Sequence, residues 1–315
     1  MLRIALSAIS ASLLVLTINA GTAQAQTRVF VAAQGLDSNP CTFALPCRTF
    51  QHAHDVVAAK GEIDVLDPAG YGAVTITKSI SIQGHGFSGI SAAAGDAVTI
   101  NGGSSDVINL RGLLIDGVGT GGNAIKFNTG ASLAVQDSVL RDFRASGPNG
   151  NGILFAPTGF SKLSVSNTLI SENSFVGIQI LQPSGSNPVT VVVDRVEISK
   201  NQNGFCICAS TGTGTIDATI SDSVIAQSNS EGVLADGTGT LAGATIMVRH
   251  STIAYQGQRG VRAVGASIIR VTQSTITGNS EGLLTNSGGV IESFGDNALR
   301  GNSVDGTPTT TVVLQ

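Results

Sequence analysis

Val165-Ser166-Asn167-Thr168-Leu169-Ile170 leads into Val176-Gly177-Ile178-Gln179-Ile180, and Val193-Asp194-Arg195-Val196-Glu197-Ile198 leads into Asn203-Gly204-Phe205-Cys206-Ile207. Each passage reads as an apolar anchor, a turn residue, a hydroxyl or small apolar residue, and an Ile five places after the anchor. A small residue followed by an apolar one then begins a further strand. Working outward, the anchors are Leu110, Val135, Val165, Val193, Ile220, Val248, Val271 and Phe294. Their partners are Ile115, Leu140, Ile170, Ile198, Ile225, Ile253, Ile276 and Leu299. A short-period repeat in a strand- and turn-rich chain is the signature of a solenoid, with each repeat one turn of a coil.

Three short strands per turn, stacked in register, predict an all-β, right-handed parallel β-helix with turns about 4.8 Å apart, so that equivalent residues form columns. The column two places after the anchor is Gly112, Asp137, Asn167, Arg195, Asp222, His250, Gln273 and Asp296. Most of these residue types tolerate left-handed backbone, which predicts a sharp bend with Arg195 and Gln273 as exceptions. Ser138, Thr168, Ser223, Ser251 and Ser274 follow as an inward hydroxyl stack, interrupted by Val196. Asn173, Asn201, Asn279 and Asn302 mark a second, Asn-lined turn.

The 315-residue chain could hold two domains, but an unbroken repeat argues for one elongated body. Charged residues make up 12 %, and the net charge is −4, which excludes the basic face of a nucleic-acid binder. With 42 % apolar residues the chain is not a disordered one. Trp is absent, and Tyr71 and Tyr255 are the only tyrosines, so few rings exist for sugars to stack on.

Arg3, the apolar run Ile4 to Ile18 and the small-x-small site Ala23-Gln24-Ala25 predict a signal peptide over residues 1–25, with a mature chain from Gln26 in the periplasm or outside the cell. The apolar run is too short for a membrane span and none follows it. Residues 26–60 then read as an opening strand (Arg28 to Ala32), a loop stapled by a Cys41–Cys47 disulfide, and an amphipathic capping helix over 49–59 with Phe50, Ala53 and Val57 on one stripe. The β-helix is expected over 61–302 and a tail over 303–315. Cys206 and Cys208, two apart in a strand, leave the same face as free thiols or a bonded pair; no further ligand accompanies them, and no metal site is expected. Nor is a cofactor implied.

The stacked pattern over residues 60–302 resembles the pectin-lyase-like superfamily of right-handed β-helix proteins. The opening from Phe30-Val31 through Gly35-Leu36-Asp37-Ser38-Asn39-Pro40-Cys41 to Pro46-Cys47-Arg48-Thr49-Phe50 is similar to that of secreted bacterial members. The superfamily includes pectate lyases, polygalacturonases, alginate-modifying enzymes, phage tailspikes and adhesins, so the resemblance implies a fold more than an activity. Polygalacturonase acids stand just before the first strand of successive turns, within Asn-Thr-Asp and Asp-Asp. Here those positions are Asn123, Asn151, Val176, Asn203, Glu231, Arg259 and Glu281, without either motif. Gly84-His85-Gly86 matches a third polygalacturonase motif in letters, but its place in an early turn, away from an expected acidic partner, predicts a simple bend. Pectate lyases hold Ca²⁺ on clustered carboxylates, whereas the outward positions here are Lys126, Leu154, Gln179, Cys206, Leu234, Arg262 and Leu284.

One constellation remains. Glu231, Arg259 and Glu281 should stack on consecutive turns beside Arg262. Two turns separate the carboxylates by about 10 Å, slightly more than an inverting glycosidase uses. An interposed guanidinium also favours ionised carboxylates, where a general acid needs a proton. The expectation is therefore an exported β-helix protein that contacts acidic polysaccharide or a cell-envelope component through Arg259 and Arg262 without catalysis. The alternatives are a polysaccharide lyase or glycoside hydrolase using Glu231, Arg259 and Glu281, and a structural or adhesive module.

Overall fold

The structure, a computed structural model, describes residues 26–312; the expected leader over 1–25 lies outside them. Apart from the helix Phe50–Val56, every regular element among the described residues is a β-strand, and every ladder pairing is parallel. The chain is a right-handed parallel β-helix. The first strands of successive turns form a nine-stranded sheet running from Val74–Ile76 to Glu281–Asn286. The second and third strands of each turn form the other wall.

The columns expected from sequence run in register along the coil. Leu110, Val135, Val165, Val193, Ile220, Val248 and Val271 pair in succession, as do Ile115, Leu140, Ile170, Ile198, Ile225, Ile253, Ile276 and Leu299. All of these except the terminal Leu299 are buried, and each side chain withdrawn from water contributes roughly 2 kcal/mol of gross stabilisation. The small residue opening each first strand has a steric cause. A Cβ on Gly177, Gly204 or Gly232 would run into the Ile198, Ile225 or Ile253 side chain respectively.

The last anchor requires correction. Val271 pairs with Ser293, not Phe294, so the final turn carries one extra residue before Leu299. The bend position is accordingly Gly295 (φ 80°), and Asp296 falls outside the left-handed column. Arg195 (φ 52°) and Gln273 (φ 46°) are not exceptions either: both adopt the left-handed backbone of their column. A second such column, seven places after the anchor, holds Asp142, Glu172, Lys200, Gln227, Tyr255 and Gly278, and the extra residue of the final turn puts Gly301 one place later.

Hydrogen-bond ladders satisfy the backbone at both bends. The hydroxyls of Ser138, Thr168, Ser223, Ser251 and Ser274 each donate to the carbonyl two residues earlier. Those of Ser223, Ser251 and Ser274 accept the N–H of Val196, Ser223 and Ser251 one turn before. The Asn turn is a column of Asn173, Asn201, Ser228, Gln256, Asn279 and the half-buried Asn302, in which the amide oxygens of Asn201, Gln256, Asn279 and Asn302 accept main-chain N–H groups of the preceding turn and Ser228 interrupts the ladder.

At the N-terminal end the strand Gln26–Val31 would expose an unpaired edge, a template for aggregation. The stapled loop covers it: Phe30 N–H donates to Cys41 O, Cys47 N–H to Phe30 O and Ala32 N–H to Cys47 O. Cys41 and Cys47 are disulfide-bonded and fully buried. Asp37 clamps the exit of the loop, accepting from Arg48 N–H, Thr49 N–H and the Thr49 hydroxyl. The expected cap is thus divided. The loop closes the edge, while the helix buries Phe50, Ala53 and His54 against the core and ends at Val56, where Val57–Val65 begins as a strand.

His54 Nε2 accepts the Thr77 N–H at 3.2 Å, which fixes its proton on Nδ1 facing Asp55. Burial pushes this imidazole below its ordinary value of 6.5, with Lys78 adding to the effect and Asp55 opposing it. The unfolded chain therefore takes up the proton first. This contribution to stability is complete above about pH 6.5 and is lost as pH falls through the lowered folded value. The thermal midpoint should fall between about pH 7.5 and pH 5, and His54→Gln, which keeps an acceptor for Thr77, should flatten the slope. An unchanged slope in the variant would remove His54 as its source. In the amide column, Asn201→Ala strips the acceptor from Asn173 N–H and Asn173 Nδ2. The urea midpoint should report a loss of about 2–3 kcal/mol; a change below about 0.5 kcal/mol would show that the ladder contributes nothing net.

Candidate functional site

Towards the end of the nine-stranded sheet two columns stand side by side, one at the first residue of each strand and one three residues on. In the last three turns, Glu231 pairs with Arg259 and Arg259 with Glu281, while Leu234, Arg262 and Leu284 align beside them. The four charged residues singled out from sequence therefore form one cluster.

Glu231 is its centre. Its side chain is only 5 % exposed, and Oε1 accepts from Arg259 Nη1 at 3.0 Å and from Arg262 Nη1 at 3.2 Å. Its main-chain N–H donates to Asn203 Oδ1, echoing the ladder that runs from Asp96 through Asn123 and Asn151 to Val176 N–H in earlier turns. Glu281 stands further off, 3.8 Å from Arg259 Nε. Two partners were missed from sequence: Gln258, whose Oε1 accepts from Arg259 Nη1, and Asn286, whose Oδ1 accepts from Arg262 Nε. Asn286 lies two residues after Leu284, the register partner of Arg262, so strand alternation could have indicated it. Gln258 sits in the bend before the strand, where periodicity carries no signal.

A guanidinium carries five N–H donors in a planar fork. Among the described residues, Nη2 of Arg259 and of Arg262 makes no hydrogen bond, and the two side chains are 29 % and 28 % exposed. Glu231 thus fixes two arginines from below while part of each fork faces solvent. Glu231 is thus held by two guanidiniums, and the second carboxylate lies across an arginine from it. The arrangement suits recognition of an anion.

Elsewhere, His85 has an acidic partner after all: its Nε2 lies 2.6 Å from Asp64 Oδ1. Gly84-His85-Gly86 is a left-handed bend (φ 56° at His85, 80° at Gly86) beside Arg28, Glu62, Arg111 and Asp137, which form ion pairs among themselves. His250 faces Asp222 at 3.8 Å. Cys206 and Cys208 are joined by a disulfide, which rules out two free thiols or a thiolate metal pair in this state. Cys41, Cys47 and His52 come close together, but both sulfurs are consumed by the disulfide. No helix among the described residues is long and apolar enough to cross a membrane.

No family model and no curated protein sequence matches this chain. Among solved structures, the A-module of the Azotobacter vinelandii mannuronan C-5 epimerase AlgE4 is similar, with 13 % identity, a TM-score of 0.42, and coverage of 81 % of this chain and 91 % of that one.

A double-mutant cycle tests the centre of the cluster. Glu231→Gln and Arg262→Met should each destabilise the chain, with a coupling of about 1–2 kcal/mol in urea unfolding. A coupling under about 0.3 kcal/mol would mean that Glu231 does not hold Arg262.

Proposed function

We propose that this chain is an exported β-helix protein of the pectin-lyase-like kind that binds acidic polysaccharide, or an acidic envelope component, without transforming it. The observation that carries the reading is the pair of outward arginines, Arg259 and Arg262, fixed by the buried Glu231 while Nη2 of each makes no hydrogen bond among the described residues. Carboxylates are recognised best by such pre-positioned forks, because the side chains lose little further freedom on binding. A long, regular face of stacked turns suits an extended polymer. The scarcity of aromatic rings argues against a stacking groove for neutral sugars. Two disulfides agree with an oxidising compartment.

Retention on immobilised polygalacturonate or alginate at low salt, measured beside a product-release assay, tests the reading. The wild type should be retained and release nothing. Arg259→Ala/Arg262→Ala should weaken retention at least about tenfold, the loss of charge-assisted hydrogen bonds. Equal retention of the double variant would place the contact elsewhere. Product release that disappears in Glu231→Gln would instead favour the lyase or hydrolase alternative.

A further inference from the structure

Cys206 and Cys208 form a second site on the same outward face, in the turn before Glu231. Cys206 is fully buried and Cys208 partly exposed. Their disulfide encloses the single residue Ile207, so it restrains the unfolded chain less than a longer loop would. Unlike Cys41–Cys47, its two cysteines close no strand edge.

The neighbour in register with Cys206 is Gln179. Its side chain is buried, 6 % exposed, and its Nε2 donates to Cys208 Sγ at 3.7 Å. Its Oε1 is enclosed and has no hydrogen-bond partner. A buried acceptor without a donor costs free energy, and the disulfide offers no hydrogen to supply one. Reduction would: one thiol S–H can serve Oε1, while the Nε2–H already aimed at Cys208 stabilises a thiolate there. A single glutamine, in register with Cys206, thus combines a donor on Cys208 Sγ with an unpartnered acceptor.

We propose that Cys206–Cys208 is a reversible two-electron dithiol/disulfide site that exchanges with low-molecular-weight thiols. A thiolate RS⁻ attacks the accessible Cys208 Sγ; the Cys206–Cys208 bond breaks, and Cys206 leaves with the electron pair and takes up a proton. A second RS⁻ attacks the R sulfur of the mixed disulfide, forming RSSR and expelling Cys208 as the thiolate that Gln179 Nε2–H stabilises. Overall, two RSH are oxidised to RSSR and the protein disulfide is reduced to two thiols. Gln179 is a positioning residue in both directions.

The test equilibrates the folded chain in graded glutathione/glutathione-disulfide buffers, followed by alkylation and mass mapping. Cys206 and Cys208 should titrate reversibly while Cys41–Cys47 stays oxidised and the far-ultraviolet circular dichroism is unchanged. Gln179→Leu, with the same circular dichroism, should require a [GSH]²/[GSSG] ratio about tenfold higher for half-reduction. It should also raise the pH at which reduced Cys208 is alkylated. The proposal falls if Cys206–Cys208 opens only together with Cys41–Cys47 or with unfolding. It falls equally if Gln179→Leu moves neither the midpoint nor the pH profile.

Discussion

From Asp137 onward every turn of this coil bends twice through left-handed backbone, and the rest of the structure depends on how those bends are sustained. Outside glycine, a left-handed residue costs about 1–2 kcal/mol. Here such residues recur in two parallel columns, one from Asp137 to Gln273 and the other from Asp142 to Tyr255. What stabilises them is repetition. Each bend stacks on an identical bend, so that Ser hydroxyls and Asn amides beneath it meet the same main-chain groups one turn away. The apolar columns hold the turns in register, and the polar ladders satisfy the backbone at the corners. Neither works without the other: a slip of one residue would turn every inward Ile outward.

The same repetition positions the charged cluster. Glu231, Arg259 and Glu281 share a column because they occupy one position in three successive turns, and the side chains meet without any special loop. The scaffold places Asn at this position in Asn123, Asn151 and Asn203, where the side chain or its predecessor continues a hydrogen-bond ladder. Charges at this position give, in place of an amide ladder, two arginines fixed on a buried acid. With the acid buried and the two arginines only partly so, this is an economical arrangement for holding flexible side chains still.

The repeat made much of this legible in the chain itself. Anchor and partner columns, the hydroxyl stack and the Glu231–Arg259–Glu281 alignment all follow from period and strand alternation. What escaped did so for identifiable reasons. Glu172, Lys200 and Tyr255 have no intrinsic leaning toward left-handed backbone, so the second bend column is imposed by stacking and leaves no compositional trace. Phe294 looks like an anchor by type, but an added residue before Leu299 shifts the register to Ser293. Asp64 lies two strands from His85 in sequence, and only the coil brings them together. The bond between Cys206 and Cys208 was one of two open readings, and spacing alone could not choose between them.

Turn length varies where register does not. The connection from the first strand to the second runs from Leu181 to Pro188 in one turn, yet is Ala266 alone in another. The columns on either side remain aligned through both. Some of the change in turn length is therefore absorbed in this connection, outside the ladders. A lineage carrying this coil can lengthen, shorten or redecorate one flank turn by turn, and acquire new surface chemistry, while the inherited geometry of the stack is left untouched.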